Sequence, residues 1–223
     1  MPNTLLIVVT SCDSLRSGRK TGVWFDEFAI PYALFRDKGY VITLASPKGG
    51  ITPIDPQSLD ESITLRGHKT NTLSAKTALN NTKILDEIAA NDFDALYIPG
   101  GNGTMYDLSQ NQTLNQILLR RDEANQLIAS VCHGVVCLTA LEKNGRPFVQ
   151  QRKLTCFSNA EEVLTGAEDE YDFLLETRLR ELGAEVTTNT PWSEHIVMDG
   201  KLITGQNPQS CQQLAKVIVN LLT

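Results

Sequence analysis

A cysteine followed directly by a histidine is the feature of this sequence best suited to chemistry. Cys132 and His133 end the apolar run 127–131, and Gly134 leads from them into a second apolar run. A strand that turns sharply into a helix lifts the side chain at the turn above the sheet edge, as in a nucleophile elbow. The helix dipole at such a turn favours a thiolate, so we expect the pKa of Cys132 to lie below its usual value of about 8.5.

The other four cysteines do not share this setting. Cys137 and Cys211 lie on the apolar faces of predicted helices, and Cys12 and Cys156 are also interpreted as packing residues. A total of five cysteines with no C-x-x-C pair fits neither a disulfide scaffold nor a zinc finger. The three histidines are scattered along the chain and give no support to a metal site. We therefore expect a reducing, cytoplasmic location and no cofactor.

A glycine-rich turn follows another apolar run. Gly100, Gly101 and Asn102 come after the predicted strand 95–98 and Pro99. Backbone N–H groups in such a turn can hold an oxyanion that develops beside a nucleophile on a neighbouring strand. The alternative is a plain tight turn. Neither phosphate-binding pattern, G-x-x-x-x-G-K-[ST] or G-x-G-x-x-G, is present, so nucleotide binding is weakly supported.

Glu27 is a candidate acid or base in the first predicted helix. Its neighbours Trp24, Phe28 and Ile30 are apolar. A carboxyl group directed at the core is desolvated, which raises its pKa and suits it to proton transfer. The alternative is an ordinary exposed glutamate.

The elements that position these residues alternate between strand and helix. Strands are predicted at 5–9, 41–44, 95–98 and 127–131, and helices at 25–39, 84–90, 114–126, 135–141 and 210–222. This alternation indicates an α/β protein with a parallel sheet. Pro31 lies inside the first helix, where we expect it to disturb the helix.

The polar segment 47–83 has weak periodicity and is rich in Thr, Ser, Asn, Asp, Pro and Gly. A structureless loop of that length is unusual, so we interpret it as an excursion that overhangs a site, or else as a solvated insertion. No linker divides the chain, and we expect a single domain over residues 1–223.

The composition excludes several classes of function. With 41% hydrophobic and 21% charged residues the chain is not disordered, and 26 acidic against 20 basic residues disfavour nucleic acid or an anionic membrane as partner. No apolar run approaches the roughly 18 residues of a membrane span, and the first run is too short for a signal peptide.

Motifs spread over nearly the whole chain resemble those of the ThiJ/PfpI superfamily, and specifically its small glyoxalase III-like heat-shock branch. They are Thr21-Gly22-Val23-Trp24 with Glu27 and Pro31; Ala45-Ser46-Pro47-Lys48-Gly49-Gly50 with Asp55-Pro56; Ile98-Pro99-Gly100-Gly101; Val131-Cys132-His133-Gly134; Phe157-Ser158-Asn159 with Glu161-Glu162; and Asp199-Gly200 through Thr204-Gly205-Gln206-Asn207-Pro208.

The resemblance implies a flavodoxin-like three-layer α/β/α sandwich with a mainly parallel sheet, of the kind also found in class I glutamine amidotransferases. It implies a nucleophilic Cys132 beside His133, with Glu27 against the thiol. A further acid is expected to orient the histidine. By position this acid is Glu162, with Glu161 as the fallback, although both could simply begin a capped helix.

The resemblance also implies an anion pocket and a substrate. The pocket would use the backbone of Gly101 and His133, next to Gly100. Asn102 stands where the family commonly has histidine, and Val135 replaces a frequent proline. The expected reaction is the glutathione-independent conversion of methylglyoxal or a related 2-oxoaldehyde to a 2-hydroxy acid such as lactate, by a homodimeric D-lactate dehydratase-type lyase without metal.

Two alternative functions use the same residues. A deglycase or peptidase-like hydrolase would direct the Cys132–His133 pair at a hemiaminal or an amide. A holdase chaperone or oxidation sensor would instead carry Cys132 as a sulfinate stabilised by Glu27. A glutamine amidotransferase is disfavoured, because His195 does not begin an H-x-E motif.

Overall fold

The computed structural model describes residues 2–59 and 72–223. The strands in these ranges are β1 (Thr4–Val8), β2 (Val41–Ser46), β3 (Lys83–Ile84), β4 (Ala95–Ile98), β5 (Leu127–Val131), β6 (Glu142–Lys143), β7 (Arg146–Pro147), β8 (Lys153–Leu154), β9 (Glu185–Val186), β10 (Ile196–Asp199) and β11 (Leu202–Gly205). The α-helices are α1 (Phe25–Asp37), α2 (Thr72–Ala78), α3 (Leu85–Ile88), α4 (Thr104–Asp107), α5 (Gln112–Glu123), α6 (Asn159–Thr165), α7 (Leu175–Glu181) and α8 (Cys211–Leu222). Shorter 3-10 helices cover Pro56–Leu59, Cys132–Leu138, Glu168–Glu170 and Pro208–Ser210.

Seven strands form one sheet in the order β10-β11-β5-β4-β1-β2-β3, in which only the β10–β11 pair is antiparallel. Side chains of β1 alternate between its two faces: Leu6 and Val8 enter one core, whereas Leu5 and Ile7 enter the other. The first core is completed by α3, α5 and α7, and the second by α1, α2 and α8. The predicted three-layer sandwich with a mainly parallel sheet is therefore confirmed.

The parallel strands bring the candidate residues to one edge. Because β4 and β5 are neighbours and run in the same direction, their carboxyl ends lie side by side. The Gly100 turn follows β4 and Cys132 follows β5, so the turn and the elbow meet. Ligands of open α/β sheets bind at this edge.

The prediction of an α-helix at 135–141 is wrong. The chain instead enters a 3-10 helix directly at the elbow, over Cys132–Leu138. The backbone is crowded here, since a Cβ atom on Gly134 would lie 2.6 Å from the carbonyl oxygen of Ile98. Runs of 3-10 helix longer than about four residues are uncommon, so this segment of seven residues is a particular feature of the elbow.

Other predicted elements differ at their ends. The helix predicted at 84–90 is only Leu85–Ile88, because Ile84 pairs with Ser46 as part of β3. The helix predicted at 114–126 begins earlier, at Gln112, because the Asn111 side chain accepts the N–H of Leu114 and caps it. Strands 95–98 and 127–131 have the predicted bounds.

Several elements were not predicted, among them α2, α4, α7, the short strands β6 to β9 and the β10–β11 hairpin, and α6 was left open as a capped helix at Glu161 and Glu162. Part of the predicted excursion 47–83 is ordered as the 3-10 helix Pro56–Leu59, α2 and β3. Residues 60–71 of that excursion lie outside the described residues.

Candidate active site

Cys132 stands at the turn between β5 and the following 3-10 helix. Its φ is 58°, in the left-handed region that side-chain-bearing residues seldom adopt. Such backbone strain is characteristic of functional turns, and here it directs the thiol away from the strand. The residue is only 4% exposed, so the sulfur is reached through a narrow opening.

The histidine beside the thiol is held between two groups. His133 Nδ1 lies 3.4 Å from Cys132 Sγ, and His133 Nε2 lies 2.5 Å from Glu162 Oε1. All three residues are buried. A carboxylate on Nε2 favours the tautomer in which Nε2 carries the proton and Nδ1 can accept one. The imidazole is therefore oriented to take the proton of the thiol.

Glu161 and Glu162 divide the two roles that the sequence left open. The Glu161 carboxylate forms a capping box with Ser158 at the start of α6 and also accepts hydrogen bonds from Trp192, Gln206 and Asn207. Glu162, one residue later, points to His133. Glu161 therefore caps the start of α6, and Glu162 contacts the histidine.

Glu27 lies on the other side of the thiol, in the first turn of α1. Its Oε2 accepts the N–H of Gly100 at 2.7 Å, and its carboxyl group contacts the Cys132 thiol. Burial raises its pKa from 4.5 to about 8, against the opposing effects of the thiol and Gly100 hydrogen bonds. Glu27 therefore holds a proton at neutral pH, and the alternative of an exposed glutamate is wrong.

The pKa of Cys132 is raised, contrary to the sequence prediction. Burial is the largest cause, and Glu27 raises the thiol pKa further once its own carboxyl is ionised. The helix that follows is a 3-10 segment of seven residues, and its dipole does not offset the removal of the sulfur from water. The resting residue is a thiol, so thiolate formation needs a proton acceptor such as His133.

Gly100 and Gly101 allow the turn after β4 to lie against the elbow. A Cβ atom on Gly100 would come within 2.8 Å of Glu27 Oε2 and 2.9 Å of the His133 nitrogen. Gly101 has a φ of 105°, and its Cβ atom would lie 2.2 Å from the carbonyl oxygen of Gly22. The predicted anion pocket needs this proximity.

A cleft of about 340 Å³ opens onto the thiol. Its lining residues are Trp24, Gln57, Gly101, Asn102, Cys132, His133, Phe157, Thr165, Trp192 and Pro208. Asn102 of the predicted site therefore faces it, together with Gln57 from the described part of the excursion.

Sequence reasoning missed the aromatic wall of this cleft. Phe157 packs on the His133 ring at 4.5 Å between centroids, and Trp192 packs on Phe157 at 5.7 Å. Trp192 also has a φ of 62° and donates its N–H to Glu161 Oε1. It lies in a polar loop without periodicity, where no sequence signal distinguishes it.

The remaining cysteines do not line the cleft. Cys137, Cys156 and Cys211 are fully buried packing residues, whereas Cys12 is partly exposed, which corrects its interpretation as a core residue. Among the residues that the structure describes, no cluster of His, Cys, Asp or Glu side chains is arranged to hold a metal ion. In the same residues, no helix is both long and apolar enough to cross a membrane.

The chain is similar in sequence to known proteins of one family. The model of the DJ-1/PfpI family matches residues 23–221. The glutathione-independent glyoxalase hsp3101 of Schizosaccharomyces pombe is 32% identical over 218 residues, which cover 92% of this chain and 88% of that protein.

Two solved structures have the same fold. Rapid Encystment Protein 24 kDa of Francisella tularensis superposes with a TM-score of 0.91 at 33% identity, covering 99% of both chains. Glyoxalase III of Candida albicans superposes with a TM-score of 0.87 at 28% identity, covering 98% of this chain and 96% of that one.

Proposed function

The chain belongs to the DJ-1/PfpI family, and we propose that it is a glutathione-independent glyoxalase that converts methylglyoxal or a related 2-oxoaldehyde to a 2-hydroxy acid. One observation carries the proposal: the Cys132 thiol lies between two proton carriers, His133 Nδ1 at 3.4 Å and the protonated carboxyl of Glu27. The named relatives in two yeasts are glyoxalases, which supports the same reaction.

The first step forms a carbon–sulfur bond. The thiol proton moves to His133, and the sulfur attacks the aldehyde carbon to give a hemithioacetal. Glu162 stabilises the resulting imidazolium through Nε2. The backbone N–H groups of Gly101 and His133 are proposed to hold the oxygen that becomes negative, which is a typical role of a turn facing a nucleophile.

The second step moves a proton between adjacent carbons. The proton leaves the former aldehyde carbon and another arrives at the neighbouring carbonyl carbon, through an enediol, which leaves a thioester of the 2-hydroxy acid. Glu27 and His133 are the two groups next to the sulfur that can carry this proton. Water then cleaves the thioester, releases the acid and restores the thiol, so the cycle consumes only aldehyde and water.

The cleft suits a small substrate. It is narrow at the sulfur, and the rings of Phe157 and Trp192 form one wall. Asn102, Gln57 and Thr165 are polar side chains that line it beside Cys132 and His133. We propose that the aldehyde carbon reaches Cys132 while the oxygens of the substrate face Asn102 and the Gly101 turn.

The test is turnover of methylglyoxal by purified protein in the absence of glutathione and added metal. We expect lactate to form in amounts equal to the aldehyde consumed. Cys132→Ala should abolish this turnover, whereas Cys12→Ala, at a partly exposed cysteine that does not line the cleft, should retain it. Lack of lactate formation by the unaltered protein, or full activity of Cys132→Ala, would refute the proposal.

An oxidation sensor is the second candidate, and the contact of Glu27 with the thiol favours it. A protonated carboxyl beside the sulfur can donate a hydrogen bond to a sulfinate. Mass spectrometry after mild peroxide separates the candidates: selective oxidation of Cys132 without aldehyde turnover supports the sensor. Hydrolysis of a model peptide or glycated amine without lactate formation would instead support the hydrolase.

The proposal also covers the location, the oligomeric state and the partners of the protein. We propose a cytoplasmic homodimer that acts as one domain on free aldehyde, without nucleic acid, membrane or cofactor. The odd cysteine count and the acidic composition support this, and sedimentation of the purified protein tests the dimer.

A further inference from the structure

Two buried polar atoms behind the candidate site lack hydrogen-bond partners among the described residues. They are the second carboxyl oxygen of Glu162, Oε2, and the hydroxyl of Tyr171. Glu162 is fully buried, and Tyr171 is 7% exposed. Buried polar atoms are nearly always paired with protein or with ordered water. Each of the two atoms therefore requires a partner.

Both residues lie against the same imidazole. Glu162 binds His133 Nε2 through Oε1, and the Tyr171 ring lies 5.7 Å from the His133 ring at an angle of 50°. Burial raises the pKa of Tyr171, and the negative charge of Glu162 is the next largest cause. The hydroxyl is thus within electrostatic reach of the carboxylate that orients His133.

A second cavity is lined by Tyr171. This cavity, of about 660 Å³, is lined by Arg16, Met105, Tyr106, Ser109, Tyr171 and Phe173 among others, and none of its lining residues is shared with the cleft. It is large enough and polar enough to hold water. Water can therefore approach Tyr171 without passing the substrate.

Tyr106 lines the same cavity as Tyr171, but its hydroxyl has hydrogen-bond partners. Its ring packs edge-on against Tyr171 at 6.2 Å. Its hydroxyl donates to the carbonyl oxygen of Glu170 at 2.6 Å and accepts the N–H of Arg16 at 2.9 Å. The two neighbouring tyrosines thus differ in one respect. The hydroxyl of Tyr106 has two hydrogen-bond partners, whereas the hydroxyl of Tyr171 has none among the described residues.

We propose that Tyr171 is a positioning residue for the His133–Glu162 pair, and that its hydroxyl donates through one bridging water to Glu162 Oε2. A hydrogen bond to a carboxylate favours its charged form and limits its rotation. Oε1 then stays on His133 Nε2, and Nδ1 stays available to the thiol. This assignment rests on the proposed function only in giving Cys132, His133 and Glu162 their working roles.

The test uses the reactivity of Cys132 rather than turnover. The alkylation of Cys132 by iodoacetamide is followed against pH in the full-length protein, by mass spectrometry of the peptide that contains it. Tyr171→Phe keeps the ring and removes the hydroxyl. We expect the rate at neutral pH to fall about tenfold, the size of effect seen when a partner that orients a histidine is lost.

The acid limb of the pH profile should also move to higher pH, by about half a unit or more. The reason is that His133 Nδ1, less firmly positioned, accepts the thiol proton less readily, so the Cys132 thiolate forms at higher pH. A purely packing role for the tyrosine ring leaves this limb in place.

Two controls isolate the hydroxyl. Tyr106→Phe removes a hydroxyl from the same cavity and should leave both the rate and the limb unchanged. In a Glu162→Gln background, Tyr171→Phe should change the rate by less than about twofold, because the two residues act through one interaction.

Two results overturn the proposal: a Tyr171→Phe protein with an unchanged pH profile, or an equal loss from Tyr171→Phe in the Glu162→Gln background. Alkylation of Cys132 is measured without any aldehyde substrate. Failure of the proposed function, which is tested by lactate formation, is therefore distinguishable from failure of this proposal. A shifted profile in a protein that forms no lactate would refute the glyoxalase assignment and support the role of Tyr171.

Discussion

Tyr97 donates a 2.6 Å hydrogen bond to the backbone carbonyl of Glu27. This carbonyl has no helical donor, because the residue four positions later is Pro31, which has no N–H. Tyr97 is fully buried on β4, the strand that leads into the Gly100 turn. The proline that is unfavourable inside a helix thus leaves an acceptor free, and Tyr97 uses it to tie Glu27 to the strand beside the elbow.

Tyr97→Phe should lower the free energy of unfolding by about 1–3 kcal/mol, because it leaves the Glu27 carbonyl buried without a donor. Urea unfolding at neutral pH measures the change. The matched control is Tyr40→Phe. The Tyr40 hydroxyl is also buried but has no partner among the described residues, so its loss should cost little. Equal losses in the two variants would contradict this role for Tyr97.

The stability of the protein should fall with rising pH on account of Glu27. Its folded pKa of about 8 exceeds the ordinary value of 4.5, so between these values the native state binds a proton that the unfolded state releases. The contribution is complete below the lower value and is lost as the pH rises through the higher one. Relative to Glu27→Gln, the free energy of unfolding should fall by up to about 1.4 kcal/mol per pH unit in this window.

Urea unfolding of the two proteins at several pH values across the window provides this measurement. Other titrating groups are common to both and cancel in the difference. A difference that stays constant, or that rises with pH, would show that Glu27 is ionised in the folded protein.

Glu161→Gln and Glu162→Gln should affect different properties, although the residues are adjacent: the first should lower stability and the second should lower kcat. The Glu161 carboxylate accepts from Ser158, Trp192, Gln206 and Asn207, so its replacement should cost at least about 2 kcal/mol of stability. Glu162→Gln should leave stability nearly unchanged and lower kcat by about a hundredfold or more, because the imidazolium loses its counter-charge. Thermal melting and lactate formation, measured on both variants, would contradict the division of roles if the two effects coincided.

Gly100→Ala should inactivate the enzyme by displacing two groups at once. The added Cβ atom would lie within 2.8 Å of Glu27 Oε2 and 2.9 Å of Cys132 Cβ, so both the carboxyl and the elbow must shift. We expect kcat/KM to fall about a hundredfold, as for other small displacements of reacting groups. Gly145→Ala is the control. The φ of Gly145 is 72°, so an added methyl group strains the backbone there, but no heavy atom lies within 4 Å of the added Cβ, and the variant should retain activity.

The regular part of the fold was predictable from local pattern. β4 and β5 are buried throughout, and apolar runs, interrupted only by Ser130, marked their bounds. The sequence left helix α6 only as an alternative, because the helix is short and leaves Val163 and Leu164 exposed, so its apolar residues do not mark a core face. The 3-10 helix after Cys132 was missed because its winding depends on how closely Gly134 approaches β4.

The sequence by itself determined that the main strands alternate with helices and that Cys132 and His133 stand at an elbow, because both depend on neighbouring residues in the chain. It also offered Glu27 and the Glu161-Glu162 pair as acids. Only the tertiary structure decided that Glu162 reaches His133, that Glu27 is protonated and that the thiol pKa is raised. Those properties depend on burial and on contacts between residues about 30 to more than 100 positions apart, which only the folded chain brings together.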